Sequence, residues 1–130
     1  MEAPKPLDEE TVQSLQKAQQ LRSKSAQFSQ RIDELAIESS EHVRVASTLK
    51  EMANYQDRKC FRMVGEVLVE RTVPSVVQEL EENLARISQA IKNLVEQREQ
   101  SDKEAQQILT AHAPLLEELG KREKLLQQQQ

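Results

Sequence analysis

The side chains able to make or break bonds are few and scattered. Cys60 is the only thiol, and His42 and His112 are the only imidazoles. A lone Cys offers a nucleophile or a soft metal ligand, but no second Cys and no adjacent His completes a zinc set. Cys60 also sits in a strand-like run, where a cysteine usually serves as a small buried apolar residue. Carboxylates are plentiful, yet an acid–base pair needs an enclosing pocket, which thin helices do not build. Gly65 stands alone, without a phosphate-cradling loop around it. No catalytic residue, no metal and no cofactor is expected.

The residues whose types and spacing carry information are apolar. From Cys60 to Thr72 the chain reads CFRMVGEVLVERT, a run rich in Val that disfavours helix and favours strand. Gly65-Glu66 has the form of a two-residue hairpin turn, with Gly first as a type II′ turn requires. That turn pairs Val64 with Val67, Met63 with Leu68 and Arg62 with Val69. One face then carries Phe61, Met63 and Leu68, and the other Val64, Val67 and Val69. A lone two-stranded hairpin is marginal in water, and its outer edges carry unpaired backbone groups. With both faces apolar, partner chains are expected to supply further strands and close a sheet or barrel. Phe61, Met63, Val64, Gly65, Val67, Leu68 and Val69 are therefore the expected subunit-assembly residues. Arg58, Lys59, Arg62 and Arg71 give this region a positive bias. They either pair with acids on neighbouring subunits or guard the strand edges.

The elements that position the hairpin follow from the helix breakers. Pro4 and Pro6 precede the first helical pattern, Gly65 and Pro74 lie mid-chain, and Pro114 and Gly120 come late. Between them run two long segments, about Glu10 to Ala53 and Thr72 to Ala113. The first repeats in steps of three and four through Ser14, Ala18, Leu21, Ser25, Phe28, Ile32, Leu35, Ser39, His42, Ala46, Leu49 and Ala53. The second does so through Val73, Val77, Leu80, Leu84, Ile87, Ile91, Leu94, Arg98, Ser101, Ala105, Ile108 and His112. This is the spacing of a coiled-coil seam. Thr72 is placed to cap the second helix, Pro74 fits its first turn, and Asn54 suits a left-handed residue after the first helix. At 1.5 Å per residue each helix is roughly 60 Å long. If Ala53 faces Val73, then Leu49 faces Val77 and Ser14 faces His112.

The expected fold is mainly α: a long antiparallel two-helix coiled coil with one β-hairpin between the helices, the hairpin joining an intersubunit β-barrel. Residues 1–9 are expected as a flexible N-terminal segment, 10–113 as the coiled-coil and hairpin domain, and 114–130 as a flexible C-terminal tail. The helix ends away from the hairpin hold Val12, Leu15, Ile108, Leu109, Leu115 and Leu116. Their seam is poor, with Ser14, Ala18, Ser25, Ser101 and Ala105, so splayed helices there would expose apolar side chains to varied unfolded segments. The plainer reading makes the same residues ordinary seam members and frayed ends.

Composition sets the outer limits. The formal net charge is −4 with acids and bases interspersed, so no basic stripe suits nucleic acid. No apolar run approaches a membrane span, and no signal-peptide pattern is present. A single Cys suits a reducing compartment, so a cytosolic or nuclear location is expected.

The stretch from Arg58 through Val73, with Met63-Val64-Gly65-Glu66-Val67-Leu68-Val69-Glu70-Arg71-Thr72 at its centre, closely resembles the hairpin of the beta-class prefoldin subunits. Leu49-Lys50-Glu51 also fits, and the order helix, hairpin, helix covers nearly the whole chain. The family usually has a second Gly where Glu66 stands, and Pro74 is a further departure. The resemblance implies a hetero-hexamer of two alpha-class and four beta-class subunits. Their helix tips would hold unfolded chains, notably actin and tubulin, and deliver them to the cytosolic chaperonin without nucleotide. A structural coiled-coil adaptor or tether without client-holding activity is the alternative.

Overall fold

The computed structural model describes residues 8–128; Pro4, Pro6 and the end of the Gln run lie outside the described residues. Helix α1 spans Glu9–Lys50, strands β1 and β2 span Lys59–Val64 and Val67–Thr72, helix α2 spans Val73–Ala111, and helix α3 spans Ala113–Gln128. The fold is mainly helical with one antiparallel hairpin, as the patterning implies.

Each helix starts where local chemistry satisfies its first N–H groups. Asp8 caps α1: the Thr11 N–H donates to Asp8 Oδ1 at 2.7 Å. Glu9 and Glu10 follow in the first turn and Lys50 stands in the last, each with the sign that the helix dipole favours. Thr72 caps α2 as expected, its Oγ1 accepting from the Ser75 N–H at 3.3 Å. Pro74 then lies in the first turn, where an N–H has no intrahelical partner to lose.

The chain divides into two compact units. Of the described residues, the first comprises 8–28 and 96–128. Its buried residues are Ala18, Leu21, Ser101 and Ala105, nearly all small. The second comprises Ser29–Val95 and holds the hairpin. Leu35, Ala46, Val73, Val77 and Ile87 are its buried apolar residues. Every expected seam residue is buried or half-buried except Ala53.

Ala53 departs from the expected register because α1 stops at Lys50. The last bonds tighten there: Met52 N–H donates to Leu49 O, an i→i−3 step, at 3.2 Å. Asn54 takes φ 59°, the left-handed conformation expected of it, but within the connecting turn rather than directly after the helix. Ala53 is therefore exposed in a turn.

Helical structure also continues past the point where the domain was expected to end. Pro114 interrupts the helix at His112 rather than terminating it. Leu116 N–H still donates to His112 O at 3.1 Å, so the ladder resumes within one turn. A proline in the first turn of α3 forfeits little, which is why the segment expected as a tail is helical up to Gln128. None of its described residues is buried.

Candidate functional site

The hairpin has the register that a two-residue turn imposes: Val64 pairs with Val67, Met63 with Leu68, Arg62 with Val69, Phe61 with Glu70 and Cys60 with Arg71. Gly65 has φ 62°, and Asn54 is the one non-glycine residue with positive φ among the described residues. Glu66 therefore lacks the positive φ of a type I′ turn, which leaves type II′. A glycine is not needed at Glu66 for that reason.

Strand alternation places Phe61, Met63 and Leu68 on one face and Val64, Val67 and Val69, with Cys60, Arg62 and Arg71, on the other. Phe61, Met63, Val64, Val67, Leu68 and Val69 are all between 37% and 64% exposed. These apolar side chains are thus not covered by the chain's own helices. β1 and β2 pair only with each other among the described residues, leaving one open edge on each. Cys60 is half-buried.

The basic residues of this region find partners within the chain. Lys59 Nζ lies 3.3 Å from Glu70 Oε1 across the strands. Arg58 Nη1 donates to Ala53 O at 3.5 Å. Arg62 Nη1 donates to Glu79 Oε2 at 2.6 Å, and Arg71 Nη2 donates to Glu79 Oε1. Arg71 Nη2 also reaches Ser75 Oγ at 3.1 Å. The Arg71 guanidinium, with Arg62 adding to it, holds the Glu79 carboxyl below the usual carboxylate range against the opposing effect of desolvation. Neither expected role of these arginines, pairing with neighbouring subunits or guarding edges, anticipated a shared acid on α2. A second ion pair joins Lys50, the last residue of α1, to Glu81 of α2 at 2.5 Å. The bond to Glu81 raises the Lys50 pKa.

The apolar residues expected at the free helix ends lie in the first unit. Val12, Leu15, Ile108, Leu109, Leu115 and Leu116 are all half-buried. Ala18, Ser101 and Ala105 are buried beside them, and side chains so small let helices approach closely. Ser14 and His112, expected to face each other, line one open groove together with Lys17, Glu104, Gln107, Ile108 and Ala111. Asp8 is held below the usual carboxylate range by its bonds to Thr11, with a smaller contribution from His112. Leu119, Leu125 and Leu126 of α3 are exposed and were absent from the sequence-derived set. Their spacing with Leu115 and Leu116 follows a helical period and was readable in principle. His42 bonds its own helix, with Nδ1 2.9 Å from Glu38 O. No described helix is long and apolar enough to cross a membrane.

Known proteins are similar to this chain in sequence. Residues 12–118 match the family described as "Prefoldin subunit". Over 92 residues the chain is 40% identical to "Prefoldin subunit 2" of Homo sapiens, covering 71% of this chain and 58% of that protein. It is 39% identical over 87 residues to "Probable prefoldin subunit 2" of Schizosaccharomyces pombe, covering 67% of this chain and 75% of that protein. "Prefoldin subunit 2" of Arabidopsis thaliana is 35% identical over 83 residues, with 64% and 55% covered. The match thus spans 58% of the length of the mammalian relatives. Both strands and all of α2 fall inside the matched stretch, and the chain belongs to the prefoldin subunit family.

Proposed function

We propose that this chain is a subunit of an ATP-independent chaperone, built into a hetero-hexamer of alpha- and beta-class prefoldin subunits through its hairpin. The carrying observation is a two-stranded sheet with two open edges and apolar residues exposed on both faces. Such a surface is unstable in water alone and is satisfied by strands from neighbouring chains. Phe61, Met63, Val64, Val67, Leu68 and Val69 are the residues that would be covered, and Gly65 makes the turn.

Unfolded clients would bind at the helix ends carrying Val12, Leu15, Ile108, Leu109, Leu115 and Leu116. The small seam residues beside them support this, because little apolar area holds the helices closed there and opening is correspondingly cheap. Actin and tubulin as clients, transfer to the cytosolic chaperonin and a cytoplasmic location belong to the same proposal, on the strength of the resemblance. No enzymatic step is required.

Client holding is tested by replacing Leu15, Leu109, Leu115 and Leu116 together with Ser. Each leucine can contribute at most roughly 1.5–3 kcal/mol by burial against a client. Wild-type and variant complexes of equal mass are compared for suppressing aggregation of a diluted, denatured protein. A partial loss is expected, since other subunits contribute their own ends. Unchanged suppression across several clients would instead favour a structural adaptor.

A further inference from the structure

Covalently, the hairpin meets α2 at one point, the Thr72–Val73 peptide. The Val73 N–H bonds Arg58 O at 2.8 Å, which ties down the base of β1 but not the angle of the sheet. The apolar side chains do not brace that angle either, because they are exposed. The described polar contacts between the strands and α2 converge on its first turns. Glu79 presents one carboxylate oxygen to Arg62 on β1 and the other to Arg71 on β2. Arg71 is steadied further by Ser75.

Arg62 and Arg71 share the valine face of the sheet. That face is therefore the one turned toward α2, and Val69 is accordingly the least exposed of the six apolar hairpin residues. The Phe61, Met63 and Leu68 face is turned away from the helix. Only an acid of this length suits the junction. Gln keeps the shape but replaces one acceptor with a donor aimed at a guanidinium, and Asp is shorter by one methylene.

We infer that Glu79 is a positioning residue that fixes the hairpin at one angle to α2, so that the Phe61, Met63 and Leu68 face is presented ready for strands of neighbouring chains. The last part of this statement rests on the assembly function proposed above.

The test uses the 130-residue chain with Cys60→Ser and spin labels at Glu66→Cys, in the turn, and Ser88→Cys, on the exposed side of α2. Pulsed electron-spin distance measurement is expected to give one narrow distribution with Glu79 present and a broad one with Glu79→Gln. Equal breadth overturns the inference. Arg62→Gln with Arg71→Gln should broaden it similarly, and adding Glu79→Gln to that pair should change nothing more. A further change would mean that Glu79 acts otherwise than through the arginines. Thermal melting of the helices should be the same with and without Glu79→Gln. Helix loss in Glu79→Gln would show that the residue holds the helix pair, which also overturns the inference.

Assembly supplies the separate readout. When wild-type and Glu79→Gln chains compete for limiting partner subunits, the variant should be under-represented by about twofold to fivefold, the range set by ion pairs near a surface. Equal shares contradict presentation of the sheet by Glu79. Failure of the wild-type chain to join any partner would refute the assembly function, and with it the presentation role, while the distance measurement still decides the clamp.

Discussion

Gly65 shows how one residue sets a whole surface. Its φ of 62° lies in the left-handed region, and a Cβ added there would meet nothing within 4 Å. Backbone strain alone then governs substitution, and Gly65→Ala should weaken the hairpin by roughly 1–2 kcal/mol. Gly65→Asn should weaken it by about as much, since the first central position of a type II′ turn lies outside the αL well that Asn tolerates. Amide hydrogen exchange of β1 and β2 measures this, and a clearly smaller loss for Asn than for Ala would contradict the turn assignment. Glu79 works at the same scale by a different means. It binds through charge and two directional bonds, and its effect passes through Arg62 and Arg71 to side chains that it does not touch.

Among the elements, α3 carries a built-in weakness. Gly120 lies within the helix, without positive φ, and a Cβ there would meet nothing within 4 Å. Gly→Ala inside a helix is worth roughly 0.5–1 kcal/mol. Gly120→Ala should therefore raise helical ellipticity and slow amide exchange across 113–128. No change in either would mean that this segment is not helical in solution. The long helices and the hairpin were legible in the sequence because each obeys a period. Three-and-four spacing from Ser14 to Leu49 and from Val73 to His112 marks the buried stripe, and the two-residue turn at Gly65-Glu66 sets the strand register. Ala53 fits the period but falls beyond the helix, because periodicity says which face is buried and not where the last bond forms. Helix α3 was missed because Pro114 reads as a stop although it is tolerated in a first turn. The Glu79 junction was not legible at all. An ion pair between a strand and a helix has no period, and Glu79 resembles every other acid on a solvated face until the strands are placed beside it.

For the molecule as a whole, the decisive feature is apolar surface left uncovered at the hairpin while the seams are filled. Six apolar side chains on two faces, bounded by two open edges, are a poor endpoint for a lone chain and a good starting point for an assembly. Leu68 separates the two situations. It is 58% exposed, so Leu68→Asp should alter the stability of the isolated chain by no more than about 0.5 kcal/mol. Buried between strands of different chains, an unpaired carboxylate would cost several kcal/mol, well beyond what an interface of this kind can absorb. Native mass measurement of the chain mixed with its partner subunits tests the central claim most directly. The wild-type chain should appear in a complex of hexamer mass, and Leu68→Asp should remain outside it while its helices melt as before. A complex of full hexamer mass carrying Leu68→Asp would contradict the account.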